Sequence, residues 1–534
     1  MCGIAGILSS NGNKIENGRS RVSKMLSIMK HRGPDSTGIY QNNDETVFLG
    51  NNRLAITDPL YDINGPLISR DTNHVMCYNG EIYDFKNHFK RFINKGISFE
   101  SKTDTEVLLK GLINEGINFL NTIDGCWAFA YYNDLLKKII ISRDLLGEKQ
   151  IFYYRSNEEF IFASEASAVA SVITNKLHFN LQEVITSMRF FSSSINNTII
   201  SEIKKFEPGQ TFTININKQF DLKESYPCKL NPLEWDDFFK SNPSDDKVIE
   251  TLSELLFNSV RNRLSPDVPF FTTLSGGIDS NLITYFASLE KKNLDTVFIQ
   301  TSEKMSPSLE GEELNEKEAS RYTANMLKTN HLELNVETEK ADTLLKKNAE
   351  NSVDGVLDWG ISSFELIGDA IKRQGYKVLL VSEAADELCG YKSDMENYQK
   401  HIFMKNYNYL AQFLNTLNSN YLIRKVFRRI NFIKNNINEP YCSDSPFIFR
   451  PFHEAIGVDF LSKLFERNKI SLTNNAYGTI SHEYQNLNTK IDYSQKMALS
   501  YMSYSVPSFN NLRLDRALMG ASVEPRIPFL NIKL

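Results

Sequence analysis

An α+β sandwich of stacked antiparallel sheets with helices, followed by an α/β unit on a doubly wound parallel sheet, is the fold class this sequence predicts. Three observations carry the expectation. The chain has 534 residues, more than one hydrophobic core ordinarily serves, so two units are expected. Residues 1–215 hold many short β-rich segments punctuated by Gly, Asn and Asp turn signals. From about residue 225, long helical patterns alternate with short apolar strands, the pattern of a parallel sheet covered by helices.

In the first unit, 1–215, the segments Cys2–Leu8, Thr46–Leu49, Val75–Asn79, Lys138–Arg143, Ile151–Tyr154 and Gln210–Ile216 read as strands. Helical patterns surround Arg21–Met29 and Asp104–Glu115. Residues 216–246 read as a linker, because Pro227–Asp246 carries three prolines among mixed polar residues. In the second unit, 247–534, the strands are expected at Val268–Leu274, Thr296–Gln300 and Lys377–Val381. No fixed-period repeat interrupts this order.

Composition bounds the function. With 41% hydrophobic and 23% charged residues the chain reads as globular and water-soluble. No apolar run approaches the roughly 18 residues of a spanning helix, and the start lacks a basic leader segment, so no membrane partner and a cytoplasmic location are expected. The cysteines Cys2, Cys77, Cys126, Cys228, Cys389 and Cys442 are scattered, without zinc-site spacing, and read as free thiols in a reducing compartment. A net charge of -5 speaks against a nucleic-acid partner, and the basic stretch Arg424–Arg429 reads as a solvated helix face.

The first candidate site lies at Cys2. Removal of Met1 would leave a thiol and a free α-amine on one residue, so that the amine takes the thiol proton while the thiolate attacks a carbonyl. Taken alone, Cys2 reads equally as a small buried hydrophobe starting a strand. Polar clusters follow it at His31–Ser36, Arg53–Ile56, Tyr78–Tyr83 and Thr103–Glu106. Glutamine presents a carboxylate, an ammonium and an amide. Arg53 suits the carboxylate, Glu81 and Asp104 suit the ammonium, and the Asn79 side-chain amide with the Gly80 N–H suits an oxyanion. Each also has an ordinary reading as turn former or surface ion-pair partner.

The second candidate site is Leu274-Ser275-Gly276-Gly277-Ile278-Asp279-Ser280, between an expected strand and an expected helix. Two glycines let backbone N–H groups approach phosphate, Ser275 and Ser280 add hydroxyl donors, and Asp279 can reach Mg2+. The pattern is not GxxxxGK[ST]. Further on, Val381-Ser382-Glu383-Ala384-Ala385-Asp386 follows a strand, so Glu383 and Asp386 are expected at the carboxyl edge of the sheet, where ligands bind.

In that order MCGIAGI, HRGPDS, RLAI, YNGEIYD, TDTEVLL, DGCWAFA, RDLLGEK and FASE resemble the glutaminase domain of the asparagine synthetase family, which is of the N-terminal nucleophile hydrolase type. SGGIDS resembles the pyrophosphate loop of enzymes that adenylate a substrate. The resemblance implies that Cys2 forms a thioester, with Asn79 and Gly80 assisting. It implies that Arg53, Leu54, Ile56, Asn79, Gly80, Glu81 and Asp104 hold glutamine. It further implies ATP on Leu274, Ser275, Gly276, Gly277, Asp279, Ser280, Ile299, Val381 and Ser382, Mg2+ on Asp279 and Asp386, and Glu383 as the acid of the synthetase site. Glutamine, ATP and aspartate are then the expected substrates; the resemblance allows a homodimer and leaves the oligomeric state open.

Three departures stand out. Asn64-Gly65-Pro66 replaces the family's Gln-Pro, and Ser382 and Ala384 replace two glycines. The segment Leu514–Asn531 resembles the family's Asp-Arg…Glu-x-Arg-x-Pro-Phe-Leu-Asp stretch with Asn531 at its end. The family's following Lys-x-Gly-Phe lysine has no match, so the second unit is expected to be short at its C-terminal side. Two rival readings remain: an amidotransferase for another carboxylate of a natural-product or surface-sugar pathway, and a glutaminase or regulatory protein with a degenerate synthetase half.

Overall fold

The computed structural model describes residues 2–59, 65–216, 220–228, 235–264, 267–300, 310–335, 346, 352–358, 360–389, 498–499 and 501–534. Arg424–Arg429, Cys442 and Asn64 lie outside the described residues.

Two six-stranded antiparallel sheets form the first unit. One runs in the order β10-β8-β9-β1-β3-β2, from Lys204–Lys205 (β10), Phe152–Arg155 (β8), Glu159–Ala163 (β9), Gly3–Ser9 (β1), Val47–Arg53 (β3) and Ser36–Gln41 (β2). The other runs β12-β11-β7-β6-β5-β4, from Phe220–Ser225 (β12), Thr211–Ile216 (β11), Lys138–Arg143 (β7), Gly125–Asn133 (β6), His74–Ile82 (β5) and Leu67–Ile68 (β4).

The period-2 geometry of a strand explains why these segments are apolar on both sides. Ile4 and Leu8 of β1, with Val75 and Cys77 of β5 and Ala128, Ala130 and Tyr132 of β6, fill the space between the sheets. The alternate residues Ala5 and Ile7 face outward and pack with Val22, Met25 and Leu26 of the helix Gly18–Ile28. On the far side Met76, Tyr78, Trp127 and Phe129 meet Val107, Leu108 and Leu112 of the helix Asp104–Glu115. The unit is thus a four-layer sandwich, helix, sheet, sheet, helix.

The second unit is a five-stranded parallel sheet, order β15-β14-β13-β16-β17, from Asn330–Asn335 (β15), Asp295–Gln300 (β14), Phe270–Thr273 (β13), Val378–Leu380 (β16) and Glu524–Arg526 (β17). From β13 the chain steps outward to β14 and β15, then crosses back to β16 on the other side. The gap between the carboxyl ends of β13 and β16 is therefore a topological switch point. The stretch expected as a linker contains β12, paired along its length with β11, and the helix Asp236–Lys240.

The units share buried contacts. Leu54, Ile56 and Leu146 of the first belong to the core built on the parallel sheet. Arg32 Nη2 pairs with Asp515 at 2.8 Å with both side chains almost fully buried. Among the described residues no helix is long and apolar enough to cross a membrane, and the cysteines are free thiols.

Candidate active site

Cys2 sits immediately before β1, and the neighbouring sheet brings Asn79, Gly80 and Glu81 of β5 to it. The Cys2 backbone N–H donates to Asn79 Oδ1 at 2.9 Å. Asn79 itself is wholly buried, and its Nδ2 has no hydrogen-bond partner among the described residues. An unpartnered buried donor costs about 1–3 kcal/mol, which a ligand acceptor would recover. Gly80 lies so close to β6 that a Cβ there would stand 2.2 Å from the Cys126 carbonyl oxygen, so no other residue fits this pairing.

A cavity of about 60 Å3 opens beside the thiol, lined by Cys2, Arg53, Leu54, Ile56, Gly80, Glu81 and Asp104 among others. Arg53 ends β3 and donates Nη2 to the Asp58 carbonyl at 3.1 Å. Asp104 opens a helix whose N-cap Thr103 accepts from the Glu106 N–H, and its own oxygens accept from the N–H groups of Ile82 and Thr105 at 3.1 and 2.8 Å. Glu81 accepts from Thr57 Oγ1 at 3.0 Å and pairs with Arg526 Nη2 at 3.1 Å. Burial pushes the carboxyls of Glu81 and Asp104 above the usual carboxylate range, Arg526 opposing at Glu81. Two acids thus face one small cavity at low dielectric, an arrangement that a bound ammonium would relieve.

The second cluster lies at the switch point. The register Thr272↔Leu380 aligns β13 with β16, so the loops that follow them are neighbours. In the first loop the Ser275 N–H donates to Ser280 Oγ at 3.0 Å, and Asn281 Nδ2 donates to the Gly276 carbonyl at 3.2 Å. Gly276 has φ 87, and a Cβ there would stand 2.6 Å from the Glu316 carbonyl oxygen. The helix Ile278–Glu290 begins beyond it with Gly277 as N-cap. Ile299 lies near the carboxyl end of β14.

In the second loop Val381 is buried and its N–H donates to the Arg526 carbonyl at 3.0 Å, with Ser382 next and half-buried. Glu383 accepts from Arg513 Nη2 at 2.7 Å, and Arg513 Nη1 donates to Asp358 at 3.0 Å. Glu387 accepts from Asn510 Nδ2 at 2.6 Å. Burial, and then the charge of Asp386, push the Asp279 carboxyl up. Among the described residues no group of three or more acid, His or Cys side chains gathers for a metal. A divalent ion fits the Asp279 and Asp386 pair only with phosphate or water supplying its other ligands, the habit of Mg2+.

Ala384 holds φ 72, the left-handed region that favours glycine. The substitution Ala384→Gly is expected to raise stability by up to about 1 kcal/mol in chemical denaturation, because strain relief there outweighs added chain entropy. Unchanged or lower stability would contradict the strain.

The model of the asparagine synthase family matches residues 251–534, and that of a glutamine amidotransferase domain matches residues 1–226. The chain belongs to the asparagine synthase family. Its first unit is the glutamine amidotransferase domain, and its parallel-sheet unit is the synthetase domain. Among relatives of the family, a protein of Bacillus subtilis named asparagine synthetase [glutamine-hydrolyzing] 1 is 27% identical over 73% of this chain and 58% of its own. A Methanocaldococcus jannaschii protein named putative asparagine synthetase [glutamine-hydrolyzing] 2 is 32% identical over 53% of this chain and 56% of its own. The chain thus spans less than three-fifths of the length of each of these relatives. A solved glutamine phosphoribosylpyrophosphate amidotransferase from B. subtilis is 16% identical over 55% of this chain and 65% of its own, with a TM-score of 0.33.

For a member of the asparagine synthase family, several partners of the site come from positions the motifs did not single out. Thr57 braces Glu81, Asn51 accepts from the Tyr78 N–H at 3.0 Å, and Arg513, Asn510 and Asp358 surround Glu383. Thr57 directly follows the RLAI run, so extending that motif by one residue would have reached it. Arg513 and Asn510 carry no local sign, because only the docking of the helix Asn511–Gly520 brings them to Glu383.

Proposed function

We propose that this protein is a glutamine-dependent asparagine synthetase: it releases ammonia from glutamine at Cys2 and transfers it to the β-carboxylate of aspartate activated by ATP. The observation that carries the reading is the cavity in which a thiol meets Arg53 and two buried acids, with the orphaned amide of Asn79 held against the Cys2 backbone N–H. In this reading the α-amine of Cys2, once Met1 is removed, takes the thiol proton as sulfur attacks the amide carbon. The proton passes to the leaving nitrogen, ammonia departs, and water hydrolyses the γ-glutamyl thioester to glutamate. Asn79 Nδ2 and the Gly80 N–H receive the oxyanion, Arg53 the α-carboxylate, and Glu81 with Asp104 the α-ammonium.

At the switch point the reading puts ATP on Leu274–Ser280, Ile299, Val381 and Ser382. Mg2+ held by Asp279 and Asp386 would offset phosphate charge there. The aspartate carboxylate attacks the α-phosphorus, pyrophosphate leaves, and a β-aspartyl-adenylate forms. Ammonia then attacks the acyl carbon, Glu383 accepts the proton it sheds, and AMP departs with asparagine as product. The buried contacts between the units, and the family membership, support one protein working at both sites.

Pyrophosphate release in the presence of glutamine, ATP and Mg2+ tests this reading. Release that depends on added aspartate is the expected result. Release with another carboxylate but not with aspartate would reassign the acceptor, and no release with any carboxylate would leave the amidotransferase domain without its synthetase partner reaction.

A further inference from the structure

Glu81 is the acid of the cavity that reaches out of its own unit. Its partner Arg526 belongs to β17, the edge strand of the parallel sheet, and the pair is buried, with 2% of the Arg526 side chain and 8% of the Glu81 side chain exposed. Arg526 is fixed on every side. Nε donates to Glu524 at 2.6 Å, Nη1 donates to the Arg263 carbonyl at 3.1 Å, and the guanidinium carbon lies 5.8 Å from the Tyr83 ring centre. Its backbone is held by the ladder to β16, where Leu380 is its register partner. A guanidinium so constrained has few alternatives to the geometry it now imposes on Glu81.

One stretch of that cavity wall, Leu54 to Ile56, also rests on the second unit. Lys377 Nζ, just before β16, donates to Asp35 at 2.8 Å and to the Ala55 carbonyl at 3.2 Å, and Leu54 and Ile56 pack into the parallel-sheet core. The charged and titratable groups facing Glu81 are Arg526 and Glu524 from β17, Asp104 from its helix and Tyr78 from β5, with Thr57 as hydrogen-bond donor. Arg53 stands on the same cavity wall, and Glu81 and Asp104 are the two acids that line it, so an ammonium seated there would meet a carboxyl on each of two elements. Without Arg526 the buried Glu81 carboxylate would stand beside two other acids and take up a proton instead.

We propose that Arg526, delivered by the synthetase unit, is a positioning residue of the glutamine pocket: it keeps the Glu81 carboxylate aimed at the α-ammonium of glutamine. The assignment rests on the reading of the Cys2 cavity as the glutamine site. Recognition of glutamine is then completed only when the two units are docked, and the amino-acid specificity of the first reaction depends on a strand of the second.

The test is steady-state glutamine hydrolysis by the full chain, comparing wild type, Arg526→Gln and Arg526→Lys across pH 6.5 to 9, with glutaramate, which lacks the α-amine, as a second substrate. Each further unit of upward shift at Glu81 removes tenfold of the ionised form near neutrality, so Arg526→Gln is expected to raise the KM for glutamine about tenfold or more at pH 7, with a much smaller change in kcat. That KM should fall as pH rises and Glu81 ionises. The preference for glutamine over glutaramate should narrow, and Arg526→Lys should restore part of it. A folded Arg526→Gln protein with unchanged KM, pH profile and preference would overturn the proposal. Should Arg526→Gln fail to fold, an Arg526→Lys protein indistinguishable from wild type in KM and preference would overturn it equally, since lysine cannot reproduce the fork. Wild type that releases no ammonia from glutamine would instead remove the glutamine reading, and the proposal with it.

Discussion

Replacing Cys2 by alanine is expected to abolish glutamine-dependent amidation, by about 10⁴-fold or more, the scale on which deletion of a covalent nucleophile acts. Ammonia supplied as an ammonium salt should still be used at the wild-type rate. The contrast follows from the separation of the chemistry: Cys2 lines the cavity shared with Arg53, Glu81 and Asp104, whereas the clusters around Glu383 and Leu274–Ser280 lie at the edge of a different sheet. Three of the other free cysteines, Cys77, Cys126 and Cys228, are buried and offer no substitute. Burial pushes the Cys228 thiol up to about 12 and holds those of Cys77 and Cys126 higher still, so none of the three is a nucleophile near neutrality. Rates of amide formation with each nitrogen source check the expectation; glutamine use by the Cys2→Ala protein would refute the nucleophile.

The converse result is expected at the switch point. Glu383→Gln keeps the shape of the side chain but removes the charge that receives Arg513 at 2.7 Å and, in the proposed reaction, the oxygen that accepts a proton. A general base of this kind is worth about 10²–10⁴-fold, and amide formation from either nitrogen source should fall by that factor. Glutamine hydrolysis without ATP should be untouched. The loss should exceed any effect on folding, because Arg513 retains Asp358 and Glu383 is only partly buried. Parallel assays of glutamate and AMP formation separate the two halves, and equal loss of both would mean that the substitution acts on the fold.

Much of this architecture could be read from residue order. Cys2–Leu8 alternates side chains that are apolar on both faces, which is what a strand buried between a second sheet and a helix layer requires, and β1 lies there. Asp104–Glu115 was legible as a helix, and the structure has the same limits, with Thr103 capping its start. The loops Leu274–Ser280 and Val381–Asp386 were legible as strand-to-helix turns, though not that β13 and β16 are neighbours.

What stayed hidden has a common cause. β17 is three residues, two of them charged, and gives no periodic signal; it is a strand because β16 offers it a ladder and because Glu524 and Arg526 satisfy each other. Its role at Glu81 depends on pairing between residues at opposite ends of the chain, which no local pattern encodes. Likewise Leu54 and Ile56 stood out only as part of a motif, whereas their burial in the core of the other unit is a fact of docking. The expected linker failed to suggest β12 because Phe220–Ser225 is an edge strand of alternating polar residues, and its neighbour β11 supplies the pairing.

Transfer of nitrogen between the two sites is the claim on which all the rest depends. Incubation of the purified chain with glutamine labelled with ¹⁵N in its amide, unlabelled aspartate, ATP and Mg2+, followed by mass analysis of the products, measures it. The expected result is asparagine carrying the label in its amide, with one AMP and one pyrophosphate for each labelled molecule. Labelled ammonia accumulating beside glutamate, with neither AMP nor a labelled amide, would contradict it.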